Sequence, residues 1–592
     1  MKDFLKFTLA TILGILIAGF IGTVLLIGTF SAMISMTERP VDIKDKSLLI
    51  IKLDDNIVER SDKNPLNEID FFGFSGTKKL GLDDILSAIN DAGTDDRIRG
   101  IYLNPTVITA GMGTIEEIRN ALIEFKKSGK FIYAYGEALT QKAYYLVSVA
   151  DKVVLNPRGM VEFQGISAQR NFFKKALQKL GVEMQVIRHG KFKAAVEPFI
   201  MEEMSPENRL QTETYIRSIW NQMIAGISAS RGLGVDELNS LADSVVTFRQ
   251  AEVLKEKGLV DTLMYKDEVI EDLKKMTSII EKNDLRVVDI RQYSKMPEKT
   301  DGKGLARDKV AVIYASGDID AVGESNGSDN INSEELSKVI REARRDSMVK
   351  AIVLRINSPG GSAYGSEVIW REVKLAAEVK PVIASMGDVA ASGGYYIAAA
   401  ADTIMADRTT ITGSIGIFAV IPNAQELLND KLGITQDVVN TNEHADILSL
   451  TRKLTSFEQA MLQKYIEDGY DTFVGRVADG RGLSKEQVDA IGQGRVWAAE
   501  NAMGNGLIDL YGGVNDAVKL AAEKAGLDRY RTVQLPKIKD PFEEWLKEFS
   551  GNARMWVLKS ELGRNYRIYQ ELKGLTQNKG ILARLPYTIQ ID

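Results

Sequence analysis

A serine becomes a nucleophile where its hydroxyl can be reached and a base can take its proton. The stretch Met386–Ile397, Met-Gly-Asp-Val-Ala-Ala-Ser-Gly-Gly-Tyr-Tyr-Ile, offers such a setting. It follows Pro381–Ser385, which reads as a strand, and it puts Ser392 at the start of a helix between Ala391 and Gly393. Nothing beside it is large enough to shield its Oγ, so an exposed hydroxyl is expected. Upstream, Arg355-Ile-Asn-Ser-Pro-Gly-Gly-Ser362 joins a strand to a helix. Its paired glycines, Gly360 and Gly361, let backbone N–H groups approach a ligand at a helix N-terminus that carries partial positive charge. Those are the requirements of an oxyanion hole, and with a nucleophilic serine they describe acyl transfer. Each motif also has a plainer reading. Gly-Gly serves as a tight turn, and Ala-Ser-Gly-Gly allows close packing of a helix on a sheet.

Composition removes several other chemistries. The chain has no cysteine, so disulfides, thiolate metal cages and a cysteine nucleophile are excluded. Its two histidines, His189 and His444, cannot build a histidine-rich metal site, and no metal or cofactor is expected. The net charge of −6 is spread rather than blocked, which argues against a nucleic-acid partner.

The elements that must position these motifs come in two copies. Ala143–Val154 is answered by Gly394–Met405, Asp96–Leu103 by Asp346–Val353, and Gly258-Leu-Val-Asp261 by Gly506-Leu-Ile-Asp509, in the same order and at nearly constant spacing. Two homologous domains are predicted, 46–295 and 305–535, joined by a Gly- and charge-rich linker over 296–307. In the second copy Lys309–Tyr314, Ala351–Ile356 and Pro381–Ser385 read as strands, and Ser333–Arg345 and Gly365–Val379 as helices between them. Strand, helix, strand implies right-handed crossovers and a largely parallel sheet, hence an α/β fold.

With those pieces in place, Asn357–Ser362, Ala390–Tyr395 and Gly413–Phe418 together resemble the signal peptide peptidase A (protease IV) family in its long two-domain form. The resemblance covers about residues 1–530. It implies two ClpP/crotonase-like domains in tandem, with Ser392 as nucleophile and the amides of Gly360, Gly361 and Gly393 as the oxyanion hole. The family uses a lysine base, and its motif is matched by Gly190–Phe199, which points to Lys193; Lys191 stands two positions away. Ser414 is implied to orient that lysine. The repeat agrees with a split site, because the counterpart of Ser392 is Gln141 and the counterpart of Lys193 falls at His444 and Ala445. Each half lacks what the other keeps. Whether the two meet within one chain or between neighbours is not written in the sequence. The activity implied is a membrane-bound serine endopeptidase with a Ser/Lys dyad that degrades cleaved signal peptides and other hydrophobic peptides, as a homotetramer.

Residues 7–37 carry no charge, and about 20 apolar residues suffice to cross a bilayer. An uncleaved anchor within 1–45, spanning about 7–36, is therefore expected. Lys2 and Lys6 precede it, which suggests a cytoplasmic N-terminus and a catalytic body on the outer face of the inner membrane. Residues 536–592 read as an appended helix, about 542–573, and a tail whose segment Ile581–Pro586 is extended enough to lie in a substrate groove. Two rivals remain: a crotonase-like acyl-CoA hydratase or isomerase, for which Glu197 and Asp388 are the nearby carboxylates, and a non-catalytic membrane scaffold.

Overall fold

The computed structural model describes residues 43–61, 79–280, 282–296, 306–321, 330–537 and 582–584, with most positions between 6 and 21. The expected span over 7–36, the linker and the helix over 542–573 lie wholly or largely outside the described residues. Among the described residues no helix is long and apolar enough to cross a membrane.

Two sheets dominate. The first runs in the order Thr262–Leu263, Lys152–Val161, Phe131–Leu139, Ile98–Leu103, Ser47–Ile51, Val287–Asp289, with every pairing parallel. The second places Leu510–Tyr511, Thr403–Ala406, Val382–Ala391, Val349–Ser358, Lys309–Ser316 and Arg531–Leu535 in the corresponding order, also parallel. Ile411–Gly413 adds a further parallel strand beside Val382–Ala391, and Val496–Ala498 closes that edge antiparallel. The fold is α/β. The repeated sequence segments touch one another in each copy. The Tyr144 hydroxyl donates to the Leu259 carbonyl at 2.8 Å, and the Tyr395 hydroxyl donates to that of Leu507 at 2.9 Å.

Local sequence explains the elements around the second sheet. Val349–Ser358 is buried along most of its length, as a parallel strand covered on both faces must be. Helix Ser333–Arg345 begins at Asn332, whose side chain accepts from the Glu334 and Glu335 amides, and it ends on Arg344 and Arg345. Both ends thus complement the helix dipole. Its Leu336, Val339, Ile340 and Ala343 are buried, at the spacing of one helix face. Ser362 caps helix Ala363–Ala377 by accepting from the Gly365 amide at 3.1 Å. The C-terminal end of the glycine turn is therefore fixed.

A third, smaller sheet joins the halves. Glu183–Arg188 from the first half pairs antiparallel with Phe418–Asn423 from the second, with Arg188 opposite Phe418. On the far side of Phe418 lies Leu582–Arg584, and beyond it Gly360–Ser362. The long helix Pro206–Arg231 packs against Val496–Ala498, and the equally long Ser456–Arg481 packs against Glu183–Arg188. Each half thus lends its long helix to the other.

Candidate active site

Ser392 stands where Val382–Ala391 gives way to helix Gly393–Ala398, with φ 55° and ψ −115°. A non-glycine residue held at positive φ is costly and persists only where its surroundings impose it. Here the Ser392 amide donates to the Gly413 carbonyl at 2.8 Å, and its own carbonyl accepts from the Tyr396 amide at 2.8 Å. Ser414, also at positive φ (52°), is pinned in turn by its amide, which donates to the Arg495 carbonyl at 2.6 Å.

Lys193 arrives from the other half. Strand Glu183–Arg188 delivers the chain to the turn 189–193, where the His189 amide bonds the Ile417 carbonyl at 3.3 Å and the Phe192 amide bonds that of Gln493 at 3.0 Å. These anchors aim the lysine inward. Its Nζ lies 2.9 Å from Ser392 Oγ, 3.0 Å from Ser414 Oγ and 3.2 Å from the Ser414 carbonyl oxygen. All three side chains come from one chain. Lys193 is fully buried, and burial alone pushes its pKa well below the usual lysine range. A neutral amine has two N–H donors and one lone pair. Ser414 Oγ and its carbonyl can accept the two donors, which leaves the lone pair facing the Ser392 hydroxyl.

Lys191, two residues back, is exposed. Neither histidine bonds Ser392: His189 stacks on Tyr470 with ring centroids 4.1 Å apart, and His444 pairs with Glu458 at 3.1 Å. Glu197 accepts from the Ser205 amide and hydroxyl and from Asn208 Nδ2 at 2.8 Å. Asp388 accepts from the Thr114 amide at 2.7 Å and its hydroxyl at 2.9 Å. Both carboxylates are thus spent on the scaffold.

Two expectations need correction. Ser392 is fully buried rather than exposed. The small residues around it shield nothing themselves, but they admit Lys193 and the Gly416 carbonyl, which lies 3.5 Å from Oγ. Of the three amides expected to face an oxyanion, that of Gly360 already donates to Ser358 Oγ at 3.1 Å. Gly361 lies opposite Ala583 of the tail strand, so its amide reaches a substrate only in place of that strand, and Gly393 sits in a first helical turn whose N–H groups have no acceptor within the helix. Gly361 cannot be larger, since a Cβ there would lie 2.2 Å from the Ile319 carbonyl oxygen.

Sequence reasoning missed Gly494. It holds φ 81° and its Cα faces the lysine stem so closely that a Cβ would lie 2.6 Å from Lys193 Cβ. Its carbonyl accepts from Ser414 Oγ at 3.4 Å, so it touches both the lysine stem and the serine that holds the amine. The pair Gly492 and Gly494 was the available signal, but nothing in the sequence tied it to residue 193.

The family model described as Peptidase family S49 matches residues 124–279 and 374–528. The chloroplastic serine protease SPPA of Arabidopsis thaliana is 34% identical over 509 residues, covering 86% of this chain and 74% of that one. Protease 4 of Salmonella typhi is 40% identical over 471 residues, 78% of this chain and 75% of its own. Protease 4 of Haemophilus influenzae is 33% identical over 523 residues, 85% and 83% of the two chains. Among solved structures, a ClpP1 mutant from Listeria monocytogenes covers 35% of this chain and 94% of that chain at 17% identity, with a TM-score of 0.23.

Proposed function

The chain belongs to peptidase family S49, a serine protease that hydrolyses peptide bonds, and we propose that Ser392 and Lys193 are its nucleophile and general base. The observation that carries this is the 2.9 Å approach of a fully buried lysine amine to Ser392 Oγ, with desolvation the force on its pKa. Ser392 Oγ attacks the peptide carbonyl carbon as its proton passes to the Lys193 lone pair. The carbonyl electron pair moves onto oxygen, where the amides of Gly361 and Gly393 receive it. Collapse expels the amine, which takes the proton back from the Lys193 ammonium. Water then attacks the acyl carbon as its proton passes to Lys193, and collapse breaks the bond to Ser392 Oγ, which takes that proton from the Lys193 ammonium as the carboxylic acid leaves. Ser414 holds the amine in line. The crotonase and scaffold readings are not favoured, and Glu197 and Asp388 are both occupied elsewhere.

The substrates proposed are hydrophobic peptides, above all cleaved signal peptides, and one similar protein is named a putative signal peptide peptidase SppA. The uncharged run 7–37 supports an anchor in the inner membrane with the body outside, and the resemblance supports a homotetramer of ClpP/crotonase-like units. A fluorophosphonate probe applied to carbonate-washed membranes should label the chain, and Ser392→Ala should lose the label. Absence of label overturns the serine chemistry. Label found solely in the wash overturns the anchor, and a detergent-solubilised mass far from four chains by light scattering overturns the tetramer.

Gly494→Ala tests how tightly the base is held. The added Cβ displaces the lysine stem, and a misplacement of about 1 Å costs on the order of 100-fold in rate. A loss of that size in kcat is expected. Gly504→Ala, where a Cβ meets nothing within 4 Å, should leave kcat unchanged.

A further inference from the structure

Gly360–Ser362 and Phe418–Asn423 belong to one sheet, yet they do not pair with each other. Leu582–Arg584 lies between them, antiparallel to both, with Leu582, Ala583 and Arg584 opposite Ser362, Gly361 and Gly360, and Leu582 also opposite Phe418. Strands in a sheet sit about 4.8 Å apart, so lifting out the tail leaves a slot about 9.6 Å wide between two backbone edges. Such edges expose N–H and C=O groups that an extended peptide of almost any sequence can satisfy.

The slot runs beside the reacting groups. One wall carries Gly361, and the other begins at Phe418, whose ring centroid lies 5.8 Å from Lys193 Nζ. A substrate peptide that reaches Ser392 must therefore use the edges that the tail already uses. We propose that the C-terminal segment around Leu582–Arg584 is an internal pseudo-substrate, seated in the peptide groove and competing with incoming peptide. This rests on the reading of the site as a peptidase. It also gives the extended tail a role that strand addition explains without any particular side chain. Tethering sets the strength: a segment on the same chain as its site is present at a fixed effective concentration whatever the enzyme concentration, which holds even a weakly binding strand in place part of the time.

The test compares the full chain with a variant ending at residue 579 and with Ala583→Pro, which removes a ladder donor from the tail strand. For an extended apolar reporter peptide, both variants should show KM lowered by about twofold or more with kcat unchanged, as expected when a tethered competitor of this effective concentration is lost. A synthetic peptide of residues 580–592 should inhibit the truncated enzyme competitively. Its fluorescein-labelled form should bind the truncated Ser392→Ala protein, with a rise in anisotropy that unlabelled reporter peptide reverses. Equal KM in all three chains together with no peptide binding overturns the proposal. If no chain hydrolyses the reporter or takes the fluorophosphonate label, the peptidase reading falls instead, and anisotropy still decides whether the tail fits the groove.

Discussion

Replacing Lys193 with methionine lowers kcat by about four orders of magnitude or more while the protein becomes harder to unfold at neutral pH. The first effect follows from the site: Lys193 Nζ is the basic group at hydrogen-bond distance from Ser392 Oγ, and removing one member of a catalytic unit costs nearly as much as removing all. Methionine keeps the volume of the stem, so packing against Gly494 and Gly416 is retained. Arginine should not rescue, because its guanidinium stays charged and has no lone pair to offer.

The second effect is a matter of linkage. Burial lowers the Lys193 pKa in the folded state, while the unfolded chain keeps a lysine near its ordinary value of about 10.4. Between those two values the unfolded state binds more protons, so the lysine costs stability and the cost shrinks as pH rises. The stability gained by Lys193→Met should therefore be largest at neutral pH and fade toward about pH 10. Urea midpoints across that range check it. A gain that does not change with pH would mean the amine is not held neutral. In the wild type, kcat/KM should rise with pH as the folded-state lysine loses its proton, and that acid limb should vanish in no variant that keeps Lys193.

Much of this site was legible in the sequence, because the pieces that do chemistry are local. Ala-Ser-Gly-Gly and Pro-Gly-Gly-Ser declare themselves through small residues at a strand end, and the 251-residue offset of Gln141 and Ser392 showed that one copy had given up its serine. Gln141 now plugs its own position, its Oε1 accepting from the Gln164 and Gly165 amides. The choice between Lys191 and Lys193 was not local. It is made by the antiparallel register of Glu183–Arg188 on Phe418–Asn423, across more than 200 residues of chain, which buries one lysine and leaves the other in water. Burial of Ser392 failed for a related reason. Small neighbours look like exposure in a sequence, but in a folded core they are vacancies that a distant segment fills. The other repeated segments, such as Tyr144 and Tyr395, proved to be scaffold: they recur because each copy needs the same helix-to-loop bond, not because either does chemistry.

The least legible feature predicts the largest loss of stability. Arg355 is fully buried on the strand that leads to Gly360 and Gly361, and it pairs with Glu59 at 2.7 Å and with Glu117, both from the first half of the chain. It also donates to Ser385 Oγ at 3.0 Å. Burial opposes its charge, but Glu117 and Glu59 outweigh that and hold its pKa well above the usual range. Nearby, burial and the charges of Glu117 and Glu116 keep the Asp407 carboxyl well above its own. Removing one partner from a buried ion pair leaves an uncompensated charge and costs about 3–5 kcal/mol. Arg355→Met should lose about that much, read from urea midpoints, because it leaves two buried carboxylates facing one another. Glu117, whose pKa burial already raises, can escape by taking a proton, so the deficit should be smaller near pH 5 than near pH 8: a carboxyl whose folded pKa is raised loses stability as pH climbs through it. A deficit that ignores pH would mean the carboxylates find solvent or other cations. The damage should also reach the groove. Asn357 Nδ2 donates to Glu59 at 2.7 Å, and Asn357 Oδ1 accepts from the Val389 amide at 3.2 Å, so the same cluster holds the strand that leads to Gly361 in register with Val382–Ala391, which leads to Ser392. In Arg355→Met, assayed well below its unfolding transition, kcat should fall even though Ser392 and Lys193 are untouched. Adding Glu117→Gln, which removes one stranded charge, should recover stability more than it recovers kcat, because neutralising an acid does not rebuild the brace that set the distance between the two strands.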